Sequence, residues 1–280
     1  MKRSLLLTDL DNTLYNFIDY FGPSLRAMVH ALSRKYEIDE ETLYSELQKV
    51  FIKYGSIEYS FTVQELSFYK ALADKEKEKA IQLARVAFSR ARNKRLQPYA
   101  GVVSALVWAN HSHIPVIGIT NAPVYHAYRR LRQLKIANLF TALAAHKDSN
   151  LEGKQWGIRG YNIDIPVYIL KREELKPSTK GYEKIIQDQN RLGSYKYYVV
   201  GDSIKKDIIP AMSLGVTGIW ARYGLAHEEK NMHTAVKVTD WSPQKVKELK
   251  EDHSHLGPDH IIDSFDEIRE IIPENQISLI

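Results

Sequence analysis

The chain of 280 residues contains no cysteine, and it has no apolar run long enough to cross a lipid bilayer. Without cysteine, disulfides, thiolate zinc sites and cysteine nucleophiles are excluded. Since a membrane-spanning helix needs about 18 or more apolar residues, an ion-pumping role is excluded as well. The apolar residues after Arg3 end at Asp9, far short of a signal peptide. We therefore interpret them as a strand, and we expect a cytoplasmic protein without a membrane partner.

The composition is that of an ordinary globular protein, with 26% charged and 44% hydrophobic residues. The length suggests one large or two modest domains. The net charge of +5 attracts nucleic acid and small phosphorylated molecules alike. The densest basic run, residues 90–95, is typical of the solvated end of a helix. We therefore do not expect nucleic acid as the partner, and the composition leaves the oligomeric state open.

Two aspartates stand one residue apart where the first apolar run ends. In an extended chain the side chains of Asp9 and Asp11 point to the same side. The carboxyl end of a strand is also where open α/β sheets bind ligands. Two carboxylates this close repel each other unless a cation or a shared proton offsets their charge. The pattern indicates a metal site, although an Asp-rich turn after a strand would look the same.

Three later segments place polar side chains beside predicted strands and helices. They are Thr120-Asn121 after the apolar run 114–119, Lys176 before a helical pattern at 179–189, and Gly201-Asp202, with Asp207, after the apolar run 197–200. A hydroxyl and an amide at a strand end can hold an oxyanion, but Thr-Asn is also ordinary turn chemistry. A lysine before a helix is more often a solvated charge. Each segment alone only weakly indicates a functional site. The order of the segments along the chain is a stronger indication.

In that order, Asp9-x-Asp11-x-Thr13, Thr120-Asn121, Lys176 and Gly201-Asp202-x-x-x-x-Asp207 resemble the phosphohydrolase branch of the haloacid dehalogenase superfamily. The resemblance covers about residues 1–15 and 98–224. It implies an α/β fold whose Rossmann-like core, a parallel sheet flanked by helices, comprises residues 1–15 and 97–280. Residues 16–96 read as mainly helical, and an insertion at this position forms an α-helical cap domain in the superfamily. We also expect a hairpin or an irregular loop near the site entrance at 147–170 and a helix beginning at Ser242-Pro243.

The resemblance implies a role for each motif residue. Asp9 would be the nucleophile that forms an aspartyl-phosphate, and Asp11 would be the general acid and then the general base. The phosphate would be bound by Lys176, Thr120 and the amide of Asn121. Mg²⁺ would be bound by Asp9, the carbonyl of Asp11 and Asp202. Asp207 would orient these ligands or approach the metal through water, and Thr13 would support them. The implied function is Mg²⁺-dependent hydrolysis of a small phosphorylated metabolite.

Several alternatives stay open within this interpretation. Dehalogenases of the superfamily lack an aspartate at the position of Asp11 and lack the Gly201-Asp202 pattern, so phosphate chemistry is favoured. ATPases and phosphonate hydrolases remain possible, as does a phosphatase that acts on nucleic-acid ends. A non-catalytic phosphate- or partner-binding module would usually have lost one of the motif residues.

The substrate is less well defined than the reaction. The run from Asp11 to Tyr15 is similar to the opening motif of some pyrimidine nucleotidases, which makes a nucleoside monophosphate the first guess. Phosphoglycolate, a sugar phosphate or a phosphorylated cofactor precursor stays open, because specificity depends on cap side chains whose contacts no spacing rule reveals.

Overall fold

The fold is described from a computed structural model. The structure describes residues 2–147, 163–241, 244, 246, 247 and 251–276. The helix predicted to begin at Ser242-Pro243 and most of the segment 147–170 lie outside these residues. The described end of that segment, residues 167–170, is a strand that pairs in parallel with residues 143–146, rather than part of the predicted hairpin or loop. None of the helices in the described part of the chain combines the length and the apolarity that a bilayer crossing requires.

Seven parallel strands form one sheet within the described residues. They are β1 (Arg3–Thr8), β2 (Val116–Pro123), β3 (Ala142–His146), β4 (Val167–Leu170), β5 (Tyr195–Gly201), β6 (Thr217–Ala221) and β7 (His260–Ile262). The order β4-β3-β2-β1-β5-β6-β7 puts β1 at the centre. The order reverses between β1 and β5, which is the point where open sheets of this kind bind ligands. The parallel α/β sheet predicted from the sequence is confirmed.

The central strands are apolar because the sheet is covered on both faces. Leu5, Leu6 and Leu7 of β1 and Val199 of β5 are completely buried. The helices, in chain order, are α1 (Phe17–Tyr36), α2 (Glu40–Tyr54), α3 (Thr62–Glu65), α4 (Ser67–Ala71), α5 (Asp74–Arg95), α6 (Val102–His111), α7 (Val124–Gln133), α8 (Lys180–Leu192), α9 (Ile209–Met212), α10 (Glu229–Lys237) and α11 (Ile268–Ile271). A π-helical turn, Ile204–Ile208, precedes α9.

The chain divides into two compact units. One consists of residues 1–15, 97–225 and 252–280 and contains the sheet, and the other consists of residues 16–96 and 226–251 and is helical. Inside the helical unit α1 packs against α5 and α10. A Cβ on Gly22 of α1 would lie only 3.0 Å from Cα of Asn231, so α10 lies close against α1. This packing is why the helical unit includes residues 226–251, a segment that the sequence grouped with the core.

Candidate active site

β1 is followed by a tight turn over residues 9–15 at the carboxyl edge of the sheet. Asn12 lies in the left-handed region with φ 61°, which asparagine tolerates better than most residues. Its amide donates a hydrogen bond of 2.8 Å to the carbonyl of Tyr15, which closes the turn. The turn gives the carboxylates of Asp9 and Asp11 different hydrogen-bond partners.

The carboxylate of Asp9 is buried and held at both oxygens. Oδ1 accepts a hydrogen bond from Nζ of Lys176, and Oδ2 accepts one of 3.2 Å from the hydroxyl of Thr13. The backbone N–H of Asp9 donates to the carbonyl of Val200 in the neighbouring strand, over 2.8 Å. Burial raises the pKa of Asp9, and the ammonium of Lys176 opposes that rise. The group predicted to be the nucleophile is thus rigidly placed beside a cation.

Lys176 is not the solvated charge that a lysine at such a position usually is. Its ammonium is buried and contacts Asp9 and also Oδ1 of Asp207, the latter over 2.5 Å. Burial favours the neutral amine, but the carboxylates of Asp207 and Asp9 outweigh burial and raise the pKa of Lys176 well above its ordinary value. The side chain is therefore a fixed positive charge in the site.

The side chain of Asn121 holds the backbone of Lys176. Its Nδ2 donates to the carbonyl of Lys176 over 2.8 Å, and its Oδ1 accepts from the N–H of Lys176 over 2.9 Å. The sequence assigned the amide of Asn121 to phosphate binding, so this contact with the backbone of Lys176 is an addition to the prediction. Next to it, the buried hydroxyl of Thr120 accepts a hydrogen bond of 3.1 Å from the amide of Ala122.

Three aspartates bring carboxylate oxygens together at the edge of the sheet. Asp9, Asp202 and Asp207 each offer one oxygen, and these atoms lie within 4.8 Å of one another in the part of the chain that the structure describes. Oδ2 of Asp207 also accepts a hydrogen bond of 3.1 Å from the amide of Ser203. We call these three residues the acidic cluster. It contains Asp207 as a full member, whereas the sequence assigned Asp207 an orienting role.

The acidic cluster is electrostatically unfavourable without a cation. Burial and the charges of Asp9 and Asp207 raise the pKa of Asp202 well above its ordinary value. Burial likewise raises the pKa of Asp207 to about 6, despite the nearby Lys176. Three carboxylates and one ammonium leave a formal charge of −2 when all are ionised. This charge and the oxygen ligands suit a hard divalent cation.

A glycine keeps the loop after β6 in contact with the site. A Cβ on Gly224 would lie 2.4 Å from the carbonyl oxygen of Asn12 and 2.6 Å from Cβ of Asp202. Beside it, the hydroxyl of Tyr223 donates a hydrogen bond of 2.6 Å to the carbonyl of Thr13. Sequence reasoning missed both residues, because a glycine after a strand is common and the close contact joins distant parts of the chain.

Asp11 has a buried pair of partners that the sequence analysis also missed. Oδ1 accepts a hydrogen bond of 2.7 Å from the hydroxyl of Tyr15, and Nη2 of Arg130 lies 3.3 Å from Oδ2. The side chain of Arg130 is 1% exposed. It projects from α7 on the same face as the buried Ala127 and Leu131. The feature of the sequence that could have indicated a role for Arg130 was therefore its position within the apolar stripe of a helix.

The chain matches no protein-family model. Two curated relatives carry the name glyceraldehyde 3-phosphate phosphatase. One, from Methanopyrus kandleri, is 24% identical over 258 residues, which cover 91% of this chain and 98% of that protein. The other, from Methanocaldococcus jannaschii, is 25% identical over 212 residues, which cover 75% of this chain and 81% of that protein. The similarity therefore extends over nearly the whole of the first relative.

Solved structures agree with the fold. A haloacid dehalogenase-type phosphatase from Thermococcus onnurineus superposes with a TM-score of 0.51 at 17% sequence identity, over 98% of this chain and 100% of that one. The chain therefore shares the α/β fold of this haloacid dehalogenase-type structure. The names of both curated relatives and of this solved structure are those of phosphatases.

Proposed function

We propose that the protein is a phosphatase that hydrolyses a small phosphomonoester through an aspartyl-phosphate on Asp9, with Mg²⁺ held at the acidic cluster. The observation that carries the proposal is the buried contact of Lys176 with both Asp9 and Asp207. It combines a fixed nucleophile, a fixed cation and an excess of carboxylate oxygens in one place. Such a combination is what phosphoryl transfer needs, since its catalysis consists mainly of positioning and charge stabilisation.

The chemistry takes two steps on the same pair of aspartates. First, a carboxylate oxygen of Asp9 attacks phosphorus while the bond from phosphorus to the leaving oxygen breaks. Asp11 donates a proton to that oxygen, so the alcohol leaves as a neutral molecule. Second, Asp11 accepts a proton from water as the water oxygen attacks phosphorus. The bond between phosphorus and Asp9 breaks, which releases inorganic phosphate and restores the enzyme.

The phosphoryl oxygens bind to groups from two other segments. Lys176 supplies the positive charge, and Thr120 and the backbone N–H of Asn121 supply hydrogen bonds. These donors matter because charge accumulates on the equatorial oxygens during transfer. The hydrogen bonds between Asn121 and the backbone of Lys176 hold the two segments in a fixed relative position.

The residues present fit a magnesium ion. Asp9, Asp202 and the backbone carbonyl of Asp11 would hold it, with Asp207 and Thr13 keeping these ligands in place. Mg²⁺ favours one or two carboxylates together with water and substrate phosphate, rather than a complete protein cage. When bound, it would neutralise the carboxylates and the phosphate, which otherwise repel each other.

The name of the two curated relatives supports a triose phosphate as the first substrate to test. A nucleoside monophosphate, the first guess from the run Asp11 to Tyr15, is the second. That run indicates a nucleoside less strongly than the sequence alone suggested, because the hydroxyl of Tyr15 donates a hydrogen bond to Asp11. We propose further that the helical unit is a cap that selects the substrate, since its larger segment, residues 16–96, is inserted between Asp11 and Thr120 in the sequence.

A panel of phosphorylated compounds tests the proposal. The purified protein is incubated with glyceraldehyde 3-phosphate, nucleoside monophosphates, phosphoglycolate, p-nitrophenyl phosphate and a 5′-phosphorylated oligonucleotide, and released phosphate is measured. We expect hydrolysis of a small metabolite with Mg²⁺, background release with excess chelator, and full recovery when Mg²⁺ is restored. The matched control is Asp9→Asn, which keeps the size of the side chain but removes the nucleophile.

Each alternative gives a different outcome in this panel. Hydrolysis that continues at full rate in chelator, or in the Asp9→Asn variant, would refute the mechanism. Preference for the oligonucleotide would indicate a phosphatase of nucleic-acid ends. Binding of phosphate without any release from the whole panel would indicate a non-catalytic module.

A further inference from the structure

A permanent positive charge, the guanidinium of Arg130, is buried beside Asp11. Arg130 is among the largest side chains that are completely buried in the protein. A guanidinium stays charged at any physiological pH, and burying it costs several kcal/mol unless it is paired. Nε of Arg130 donates to the hydroxyl of Tyr15 over 2.8 Å, and Nη2 donates to the carboxylate of Asp11. A buried positive charge thus contacts the residue assigned as the general acid.

Tyr15 connects the two charged groups. Its hydroxyl accepts from Arg130 and donates to Oδ1 of Asp11 over 2.7 Å, so one hydroxyl uses its donor and one of its acceptor positions in this network. The guanidinium carbon of Arg130 also lies 5.7 Å from the centre of the Tyr15 ring. The ring itself is fully buried, and the backbone of Tyr15 is fixed by its bridge to Pro98. The hydroxyl therefore approaches Asp11 from a rigid base.

We propose that Tyr15 and Arg130 are positioning residues that hold the carboxyl group of Asp11 in one orientation for proton transfer to the leaving oxygen. This inference rests on the proposed function of Asp11. The side chain of Asp11 is 24% exposed, so it lies at the boundary with solvent, where an aspartate without partners would turn between rotamers. Proton transfer needs the carboxyl oxygen within hydrogen-bond reach of the leaving oxygen. One fixed orientation raises the fraction of encounters in which this geometry is met.

A purely structural role for the network predicts something different. If Tyr15 and Arg130 only stabilised the fold, their loss would lower the stability and reduce the activity towards every substrate equally. A positioning role predicts a loss that depends on the leaving group. An alkoxide leaves poorly without a proton, whereas p-nitrophenolate hardly needs one, so only the first reaction depends strongly on Asp11.

The primary test is the Tyr15→Phe variant, which removes the hydroxyl and keeps the ring. Its matched control is Tyr128→Phe: Tyr128 is equally buried, and its hydroxyl also bonds a carboxylate, that of Asp164, over 3.2 Å. For an alkyl phosphate we expect kcat to fall about 10-fold or more in Tyr15→Phe, as part of the 10²- to 10⁴-fold that a general acid contributes. For p-nitrophenyl phosphate we expect a loss several-fold smaller, with KM unchanged for both. Tyr128→Phe should leave both rates near wild type.

A double-mutant cycle and a charge-conserving variant sharpen the test. If Tyr15 acts through Asp11, the Tyr15→Phe substitution should cost nothing further in an Asp11→Asn background. Arg130→Lys keeps the charge but loses the planar fork that reaches both partners, so it should show the same dependence on the leaving group. Equal losses for both substrates, full additivity in the cycle, or wild-type rates in Tyr15→Phe would each overturn the proposal.

A structural measurement decides the inference even if the proposed reaction is wrong. Crystal structures of the wild type and Tyr15→Phe are compared at the side chain of Asp11. We expect a single rotamer in the wild type and a displaced or multiply occupied carboxylate in the variant. An unchanged rotamer in Tyr15→Phe would refute the positioning role. Absence of phosphate release from wild-type protein would instead refute the proposed function, so the two failures are distinguishable.

Discussion

Replacing Asp202 by asparagine should stabilise the protein in chelator while removing its response to metal. In the wild type without a cation, the carboxylate of Asp202 lies among those of Asp9 and Asp207, and its pKa is raised by burial and by their charges. A raised pKa of a carboxyl group means that its ionised form destabilises the folded state at neutral pH. The amide in Asp202→Asn carries no charge, so this repulsion disappears.

The separation of the cluster oxygens sets the size of the effect. The cluster oxygens lie within 4.8 Å of one another, and two unit charges at that distance repel by about 3.5 kcal/mol at an effective dielectric constant of about 20. Asp202 faces two carboxylates, and the ammonium of Lys176 offsets part of their effect, so the net repulsion is roughly that of one carboxylate pair. With about 2–4 °C of Tm per kcal/mol for a protein of this size, we expect Asp202→Asn to melt about 7–14 °C higher in chelator.

Thermal melts at neutral pH, with chelator and with increasing Mg²⁺, measure both parts of the prediction. Wild-type Tm should rise with Mg²⁺, since an ion at 100 times its Kd adds about 2.7 kcal/mol to the free energy of unfolding. The rise should be lost in Asp202→Asn. The control is Asp240→Asn, which removes an exposed carboxylate and should change neither melt. A lower Tm of Asp202→Asn in chelator, or an undiminished response to Mg²⁺, would show that the acidic cluster is not the cation site.

Three further predictions concern single contacts of the site. Asp11→Asn should slow hydrolysis of alkyl phosphates by about 10²- to 10⁴-fold and that of p-nitrophenyl phosphate much less, and equal losses in a steady-state assay would contradict the general-acid assignment. Asn121→Ala removes two hydrogen bonds to the backbone of Lys176. Denaturant melts should therefore show that the free energy of unfolding falls by about 1–3 kcal/mol, and steady-state assays should show a lower kcat. An unchanged kcat would mean that these hydrogen bonds are not needed to position Lys176. Gly224→Ala places a methyl group 2.4 Å from the carbonyl oxygen of Asn12, so it should lower the free energy of unfolding by about 1–3 kcal/mol. A Tm equal to that of the wild type would show that the loop moves to accommodate the methyl group.

The sequence alone determined the parallel sheet and the approximate place of the site. The apolar runs that end in Asp9, Thr120 and Gly201 are strands, and parallel strands bring their carboxyl ends to one edge. Because β1, β2 and β5 are adjacent in the sheet, the residues that follow them become neighbours. This is why Asp9 and Asp202 lie close together, whereas Lys176 reaches Asp9 from the loop before α8. The catalytic roles of these residues stay predictions.

Only the tertiary structure decided which side chains hold the site residues in place. Arg130 and Asp11 are 119 residues apart in the sequence, and Asn121 and Lys176 are 55 residues apart. Hydrogen bonds over such separations depend on the packing of α7 and of the loop before α8 against the sheet, and no spacing rule expresses that packing. The same reason explains the grouping of residues 226–251 with the helical unit, because α10 buries its apolar face against α1 rather than against its neighbours in sequence. Local patterns specify elements and their ends, whereas the choice among possible partners is made when those elements pack.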